Sequence, residues 1–215
     1  MPSPAEPAEP IDLSESLRAL AARGEVRRYR KNTVLITEGD DGDTLYLILS
    51  GRLRSFSAAD NGREITYGVY GPGEYLGEMS LDGGRRSASV VTLEPSVCAV
   101  ISRASLAQHI ADNPAFAFEL MAKVIRRARA ATLSAKQLAL NDVYGRLSLL
   151  LNGLAVPLPD GTRRIDEHLT HREMSSRLGC SREMVSRLMK DLSSGGYVAQ
   201  AGAHTLLLRQ LPARW

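Results

Sequence analysis

The segment from Thr170 to Leu192 constrains this chain more than any other stretch. Thr170-His171-Arg172-Glu173 is a capping box of the S/T-x-x-E type, which opens a helix running to Leu178. Gly179-Cys180 makes a turn, and Ser181 caps a second helix to about Leu192. A short capped helix, a turn with Gly and a second capped helix form the helix-turn-helix pattern. In that pattern the second helix enters the major groove and presents its N-terminal residues to base edges. Here Arg182, Glu183 and Arg187 share one helical side, while Val185, Leu188, Met189 and Leu192 face the core. Arg pairs bidentately with guanine, and Glu accepts from the cytosine amino group. Thr170, His171 and Arg172 stand at the first helix's N-terminus, where amides and hydroxyls favour phosphate. For any one of these residues alone, a solvated Arg/Glu face is the plainer reading. Turn, caps, core spacing and charge taken together favour DNA.

The charge supports this only when it is divided along the chain. Residues 1–139 carry 17 basic and 17 acidic side chains, and residues 140–215 carry 10 and 7. Within 170–190, Arg172, Arg177, Arg182, Arg187 and Lys190 stand against Glu173 and Glu183. The whole excess of +3 sits in one short segment, which points to a polyanion.

At 215 residues the chain is one large domain or two small ones. No apolar run approaches the ~18–20 residues of a membrane helix. The opening MPSPAEPAEP has neither a basic nor an apolar region of a signal peptide, and it reads as a disordered tail over 1–12. Cys98 and Cys180 lie far apart, so a disulfide scaffold, an iron–sulfur cluster and a zinc finger are disfavoured and a reducing cytoplasm fits. There is no nucleophile–base pair, metal spacing or P-loop, and the chain does not read as an enzyme. His109, the only His of the first half, reads as a surface helix residue rather than a metal or haem ligand.

After a short helix from Ser14 to Arg23, the chain from Val26 to about Ser102 alternates β-prone runs with Gly-centred turns. The runs are Thr33–Ile36, Thr44–Leu49, Arg52–Phe56, Glu64–Val69, Ser87–Thr92 and Cys98–Ile101. Asn61-Gly62 is a strong hairpin signal, since both turn positions tolerate positive φ. The spacing suggests an antiparallel barrel or jelly roll. After Asn113-Pro114 some 25 residues are helical, and Met121, Val124, Ala128, Ala131, Ala135 and Leu138 form a heptad seam with Arg126, Arg127, Arg129 and Lys136 off it. That seam suits a parallel dimer helix, or else an amphipathic helix packed on its own domain. Asn141-Asp142 caps a further helix to about Leu151, and the strands Tyr197–Ala199 and His204–Leu208 close a small wing with a Gly202-Ala203 turn.

Inside the β region, Gly73, Gly77, Gly83 and Gly84 surround Glu78 and the pair Arg86-Ser87. Arg grips a phosphate bidentately, Ser donates to it, and Glu accepts a sugar hydroxyl. From the residues alone this is a Gly-rich anion site or a Gly-rich turn with a local Glu–Arg salt bridge.

Three stretches carry a family resemblance that runs from about Leu13 to Leu208: LTHREMSSRLGCSREMVSRLMKDLSSGGYV, PGEYLGEMSLDGGRRSASV and LALNDVYGRL. They resemble the Crp–Fnr superfamily of bacterial transcription regulators, the cyclic AMP receptor branch in particular. The resemblance implies an α+β chain: a cyclic-nucleotide-binding jelly-roll barrel over 13–112, a dimerisation helix over 113–139 and a winged helix-turn-helix domain over 140–215. It implies that Glu78 holds the ribose hydroxyl, that Gly77 and Met79 lie close by, and that Arg86 and Ser87 hold the cyclic phosphate. Ala131 and Thr132 fall where the dimer helix contacts the base, and Thr132 alone keeps a hydroxyl. Arg85 stands where relatives often have Pro, and reads as solvated. The segment between Glu78 and Arg86 is shorter than in the cyclic AMP receptor. On the DNA side Thr170, His171, Arg172, Ser181, Arg182, Glu183, Ser186 and Arg187 are implied to bind, with Arg182, Glu183 and Arg187 reading a TGTGA-like half-site. The implied protein is a cytoplasmic homodimer without metal, its effector cyclic AMP, its partners a palindromic operator and RNA polymerase. Cyclic GMP or cyclic di-GMP as the effector, or no effector at all, is the alternative.

Overall fold

The computed structural model describes residues 13–202 and 204–215. The tail expected over 1–12, and Ala203 of the expected wing turn, lie outside the described residues. Contacts divide the chain into two compact units, one of residues up to 57 with 67–129, the other of 58–66 with 130–215.

The first unit opens with α1 (Glu15–Ala21), whose N-cap Ser14 accepts from the Leu17 amide. Eight strands follow: β1 (Glu25–Tyr29), β2 (Val34–Ile36), β3 (Leu45–Ser50), β4 (Leu53–Ala58), β5 (Glu64–Tyr70), β6 (Tyr75–Leu76), β7 (Ser89–Thr92) and β8 (Ser96–Ile101). They form two four-stranded sheets, ordered β1-β8-β3-β6 and β2-β7-β4-β5. β3 and β8 read as nearly continuous apolar runs because both are central strands of the first sheet. Leu45, Leu47, Tyr75, Ala99 and Ile101 pack with Leu20, Leu106 and Phe116, while Ile36, Ile48, Leu53, Leu76, Val90 and Cys98 form a second cluster. Each fully buried Leu or Ile contributes about 1.5–3 kcal/mol of transfer free energy. Burial pushes the Cys98 thiol up to about 11, which makes it an inert core group.

β1 and α2 depart from the sequence reading, and the two-residue β6 is not among its β-prone runs either. β1 is a strand although four of its five residues are exposed, so no alternation marked it. α2 (Arg103–Asp112), capped by Ser102, occupies a stretch the sequence left unassigned. The β4–β5 turn also differs in detail. Gly62 has φ 75 and Asn61 does not have a positive φ. The Gly62 amide bonds to the Ala59 carbonyl and the Ala59 amide to that of Arg63. The connection is therefore a longer loop with one left-handed Gly, not a two-residue turn.

His109 of α2 corrects the surface reading, for it is fully buried. Its ring meets Phe116 edge-on at 4.8 Å, and neither ring nitrogen has a hydrogen-bond partner. Burial holds its pKa below the usual value, with Arg23 adding to the effect and Asp112 and Glu119 opposing it. The unfolded chain therefore takes up a proton first as pH falls, so the fold loses stability below about pH 6.5. His109→Leu should flatten this loss, read as the difference in thermal midpoint between pH 7.5 and 5.5. An unchanged difference would refute it.

α3 (Ala115–Leu140) begins in the first unit and ends in the second. It is followed by α4 (Val143–Leu154), whose N-cap Asp142 accepts from the Gly145 amide at 2.7 Å. Arg146 donates to the carbonyls of Asn141 and of Leu178, which fixes the entry to α4. The second unit continues with β9 (Val156–Pro157), β10 (Arg163–Ile165), α5 (His171–Leu178), α6 (Arg182–Ser194), β11 (Val198–Ala201) and β12 (His204–Leu207), with a sheet ordered β11-β12-β10-β9. Tyr144, Leu147, Leu151, Ile165, Met174, Leu178, Val185, Leu188, Leu192, Val198 and Leu207 share one core. Trp215, the single tryptophan, has its ring 5.7 Å from those of both Tyr144 and Tyr197.

Candidate functional site

The candidate site of the first unit is built on one short 3₁₀ turn, Glu78–Ser80. Gly77 precedes it with φ 96, and a Cβ there would sit 2.5 Å from the Thr44 carbonyl and 2.7 Å from Arg86 Nη1. Only glycine fits both demands. The close approach lets Arg86 reach the turn from the far side of the Gly83-Gly84 loop. Arg86 is 7 % exposed and donates through Nη1 to the Gly77 carbonyl at 3.1 Å and to Ser80 Oγ at 2.8 Å. Through Nη2 it donates to the Thr44 carbonyl at 3.0 Å and to Thr44 Oγ1 at 2.9 Å. Its own backbone is paired with Gly39 and Asp40. Among the described residues Arg86 forms no ion pair, so the cation is buried among neutral oxygens alone.

Glu78 is likewise buried, but its ion pair is with Arg127 of α3, not with Arg85 or Arg86. The local Glu–Arg bridge within the loop is therefore absent. Arg127 also donates to the Tyr75 carbonyl at 2.6 Å and lies 4.6 Å over the Tyr70 ring. Glu78 Oε2 is buried without a hydrogen-bond partner. Lys123, one turn earlier on α3, stands 4.2 Å over the Tyr75 ring. Burial pushes the Tyr75 phenol up to about 12, and its buried hydroxyl has no partner. The structure thus brings Gly77, Glu78 and Arg86 together, and adds Arg127, Thr44 and Ser80, which the sequence reading passed over. Arg127 stood only as one of the basic residues off the expected seam, because its partner Glu78 lies far back in the chain. Met79, Ser87 and Arg85 are exposed, and Arg85 points to Asp41 at 3.8 Å. Ala131 and Thr132 are exposed positions of α3 in the second unit.

On the expected seam of α3, Val124 is half-buried and Ile125 is 50 % exposed instead. Phe118, Met121 and Ile125 are exposed large side chains, as are Leu133, Leu138 and Leu140, and Ala128, Thr132 and Ala135 continue the first three at alternating 3 and 4 spacing. Met121, Ala128 and Ala135 are common to both rows. The expected seam also included Ala131 and Leu138, both exposed.

In the second unit the capping box is complete. Thr170 Oγ1 accepts from the Glu173 amide, and the Glu173 carboxylate accepts from the Thr170 amide at 2.7 Å. Gly179 follows with φ 66, a left-handed cap that ends α5 and turns the chain towards α6. Ser181 accepts from the Met184 amide and starts α6. Val185, Leu188, Met189 and Leu192 are buried, and Arg182, Glu183 and Arg187 are exposed on the opposite side. Arg172 is exposed at the start of α5. His171 and Ser186 are half-buried and bond to one another at 2.9 Å, which ties the two helices together. Thr170→Ala removes the Oγ1 bonds to the Glu173 amide and carboxylate while the Thr170 amide bond remains, and it should cost about 1 kcal/mol of unfolding free energy in urea, with no loss if the hydroxyl were idle.

A cyclic nucleotide-binding domain matches residues 26–113, and a Crp-like helix-turn-helix domain matches residues 145–213. The cyclic AMP receptor protein of Thermus thermophilus is 35% identical over 190 residues, covering 86% of this chain and 83% of the relative. The chain belongs to the Crp–Fnr family. Within it, this regulator is similar to a CRP-like cAMP-activated global transcriptional regulator of Mycobacterium tuberculosis, 29% identical over 196 residues and covering 89% of this chain and 88% of the relative. The solved structure of the c-di-GMP-responsive regulator CLP of Xanthomonas campestris superposes with a TM-score of 0.78 at 27% identity, covering 90% of this chain and 98% of that one. This Crp–Fnr member is accordingly a DNA-binding transcription regulator with a cyclic-nucleotide-binding domain, near the cyclic AMP receptor branch.

Proposed function

We propose that the chain acts as a cytoplasmic homodimer whose sensor binds a cyclic mononucleotide, cyclic AMP first, and whose α6 reads a palindromic TGTGA-like operator. One observation carries the sensor half of this reading. A buried guanidinium without a counter-ion is held by the residues flanking Glu78, whose Oε2 lacks a donor. A buried cation and a buried unsatisfied acceptor are both costly, and one ligand bearing an anion and a hydroxyl relieves both. The cyclic phosphate would go to Arg86 and Ser87, the ribose hydroxyl to Glu78, with Gly77 and Met79 beside it. Thr132 and Ala131 would meet the base. The division into a tail to 12, a sensor over 13–112, a dimer helix over 113–139 and a reader over 140–215 belongs to this reading.

The exposed apolar row on α3 supports the dimer, since such side chains gain by pairing with a second copy. Recognition helices of a dimeric helix-turn-helix protein then lie about 34 Å apart, one turn of DNA. Arg182, Glu183 and Arg187 would meet bases. Thr170, His171, Arg172 and Ser181 would meet the backbone, and Ser186 would orient His171. RNA polymerase is the further partner of such a regulator. The chain needs no catalytic role. A second reading, cyclic di-GMP as effector, draws on the likeness to the c-di-GMP-responsive CLP. Calorimetry with cyclic AMP, cyclic GMP and cyclic di-GMP, alongside DNA-shift assays with and without each, tests the proposal. Heat with cyclic AMP and a ligand-dependent shift are expected. Heat with cyclic di-GMP alone would install the second reading, and silence with all three would overturn both.

A further inference from the structure

We propose that Thr44 and Ser80 are positioning residues for the ligand's anion, acting through Arg86. This rests on the assignment of Arg86 to the phosphate. An arginine has five N–H donors in a fixed plane. Four of them are committed here, two to Ser80 Oγ and the Gly77 carbonyl and two to Thr44 Oγ1 and the Thr44 carbonyl. The fifth, on Nε, is the donor left over. Glycines close the cradle on two sides, for a Cβ at Gly42 would lie 2.7 Å from Nε and one at Gly77 would lie 2.7 Å from Nη1. The guanidinium plane is therefore set from several directions before any ligand arrives.

The chemistry of the cradle matters as much as its shape. A carboxylate partner would fix the plane equally well, but would cancel the charge that an anion needs. Two hydroxyls and two carbonyls orient the group and leave its charge whole. Fixing a long side chain in advance also spares the entropy that binding would otherwise cost. The opposite possibility is that the same bonds form a latch, which a ligand must break. The two differ in sign: loss of a cradle hydroxyl weakens binding, and loss of a latch strengthens it.

Cyclic AMP binding by the full-length wild type, Ser80→Ala, Thr44→Val and Thr44→Ser is measured by calorimetry, each at matched folded fraction. The two phosphorothioate diastereomers of cyclic AMP, which place sulfur on one or the other exocyclic position, are measured beside it. Ser80→Ala and Thr44→Val should each weaken cyclic AMP about tenfold and narrow the affinity ratio between the diastereomers, while Thr44→Ser keeps both. A loss of packing alone would weaken all three ligands equally and leave the ratio intact. Unchanged or tighter binding, or an intact ratio, overturns the positioning role while the wild type still binds. A wild type that binds no cyclic nucleotide overturns the phosphate assignment, and this role with it.

Discussion

Arg86→Leu is expected to weaken cyclic AMP binding by about two orders of magnitude in calorimetry. The substitution removes the only buried cation of the cradle. A hydrogen bond to a charged group contributes roughly 1.5–3 kcal/mol, and one from the remaining Nε donor to a phosphate, charged on both sides, lies near the upper end of that range, about a hundredfold. The leucine also removes the Arg86 donor from Ser80 Oγ, Thr44 Oγ1 and the Thr44 carbonyl, while the Gly77 carbonyl still accepts from Ser80 Oγ, so a loss of stability accompanies it. Arg86→Lys separates the two effects. It restores a positive charge but not the planar fork, and should recover part of the stability while binding stays more than tenfold weaker. Cyclic AMP affinity that Arg86→Leu leaves intact would remove the phosphate from this cradle.

The second large effect is expected at the front of α6. Arg182→Ala should reduce the preference for the cognate operator over a scrambled one by about 1–3 kcal/mol, the worth of one bidentate base contact. Arg172→Ala, at the start of α5, should weaken both DNAs alike and lower the salt slope by about one unit. The contrast follows from where the two arginines stand. Arg182 lies beside Glu183 on the exposed side of the helix whose far side is core. Competitive DNA-shift titrations at several salt concentrations read both quantities. A specificity ratio that Arg182→Ala leaves unchanged would disqualify α6 as the reading helix.

The reader was legible in the sequence because its signals are local. The Thr170–Glu173 box, Gly179 and Ser181 act over three or four residues, and each does in the structure what its spacing predicts. The barrel was legible in outline, from turns and β-prone runs. β1 was not, since an exposed edge strand carrying Arg27 and Arg28 shows no apolar alternation. α2 was not either, because its buried face consists of only Leu106 and His109. His109 itself was misjudged, for an imidazole buried against Phe116 looks in sequence like any other polar residue. Arg127 was missed for the reason that long-range pairs generally are. Glu78 meets it across about fifty residues, and nothing in a basic run on a helix says which member turns inward.

The aromatic group at the chain's end gives the molecule a spectroscopic label of its own. With Trp215 the only indole and both ring partners in the second unit, tryptophan emission follows the unfolding of that unit and is blind to the sensor. A ligand that binds the native state stabilises whatever unfolds together with its site. If cyclic AMP raises the emission midpoint, the free energy of binding in the barrel has been shared with the DNA reader. If only the circular-dichroism midpoint rises, that free energy stays in the sensor.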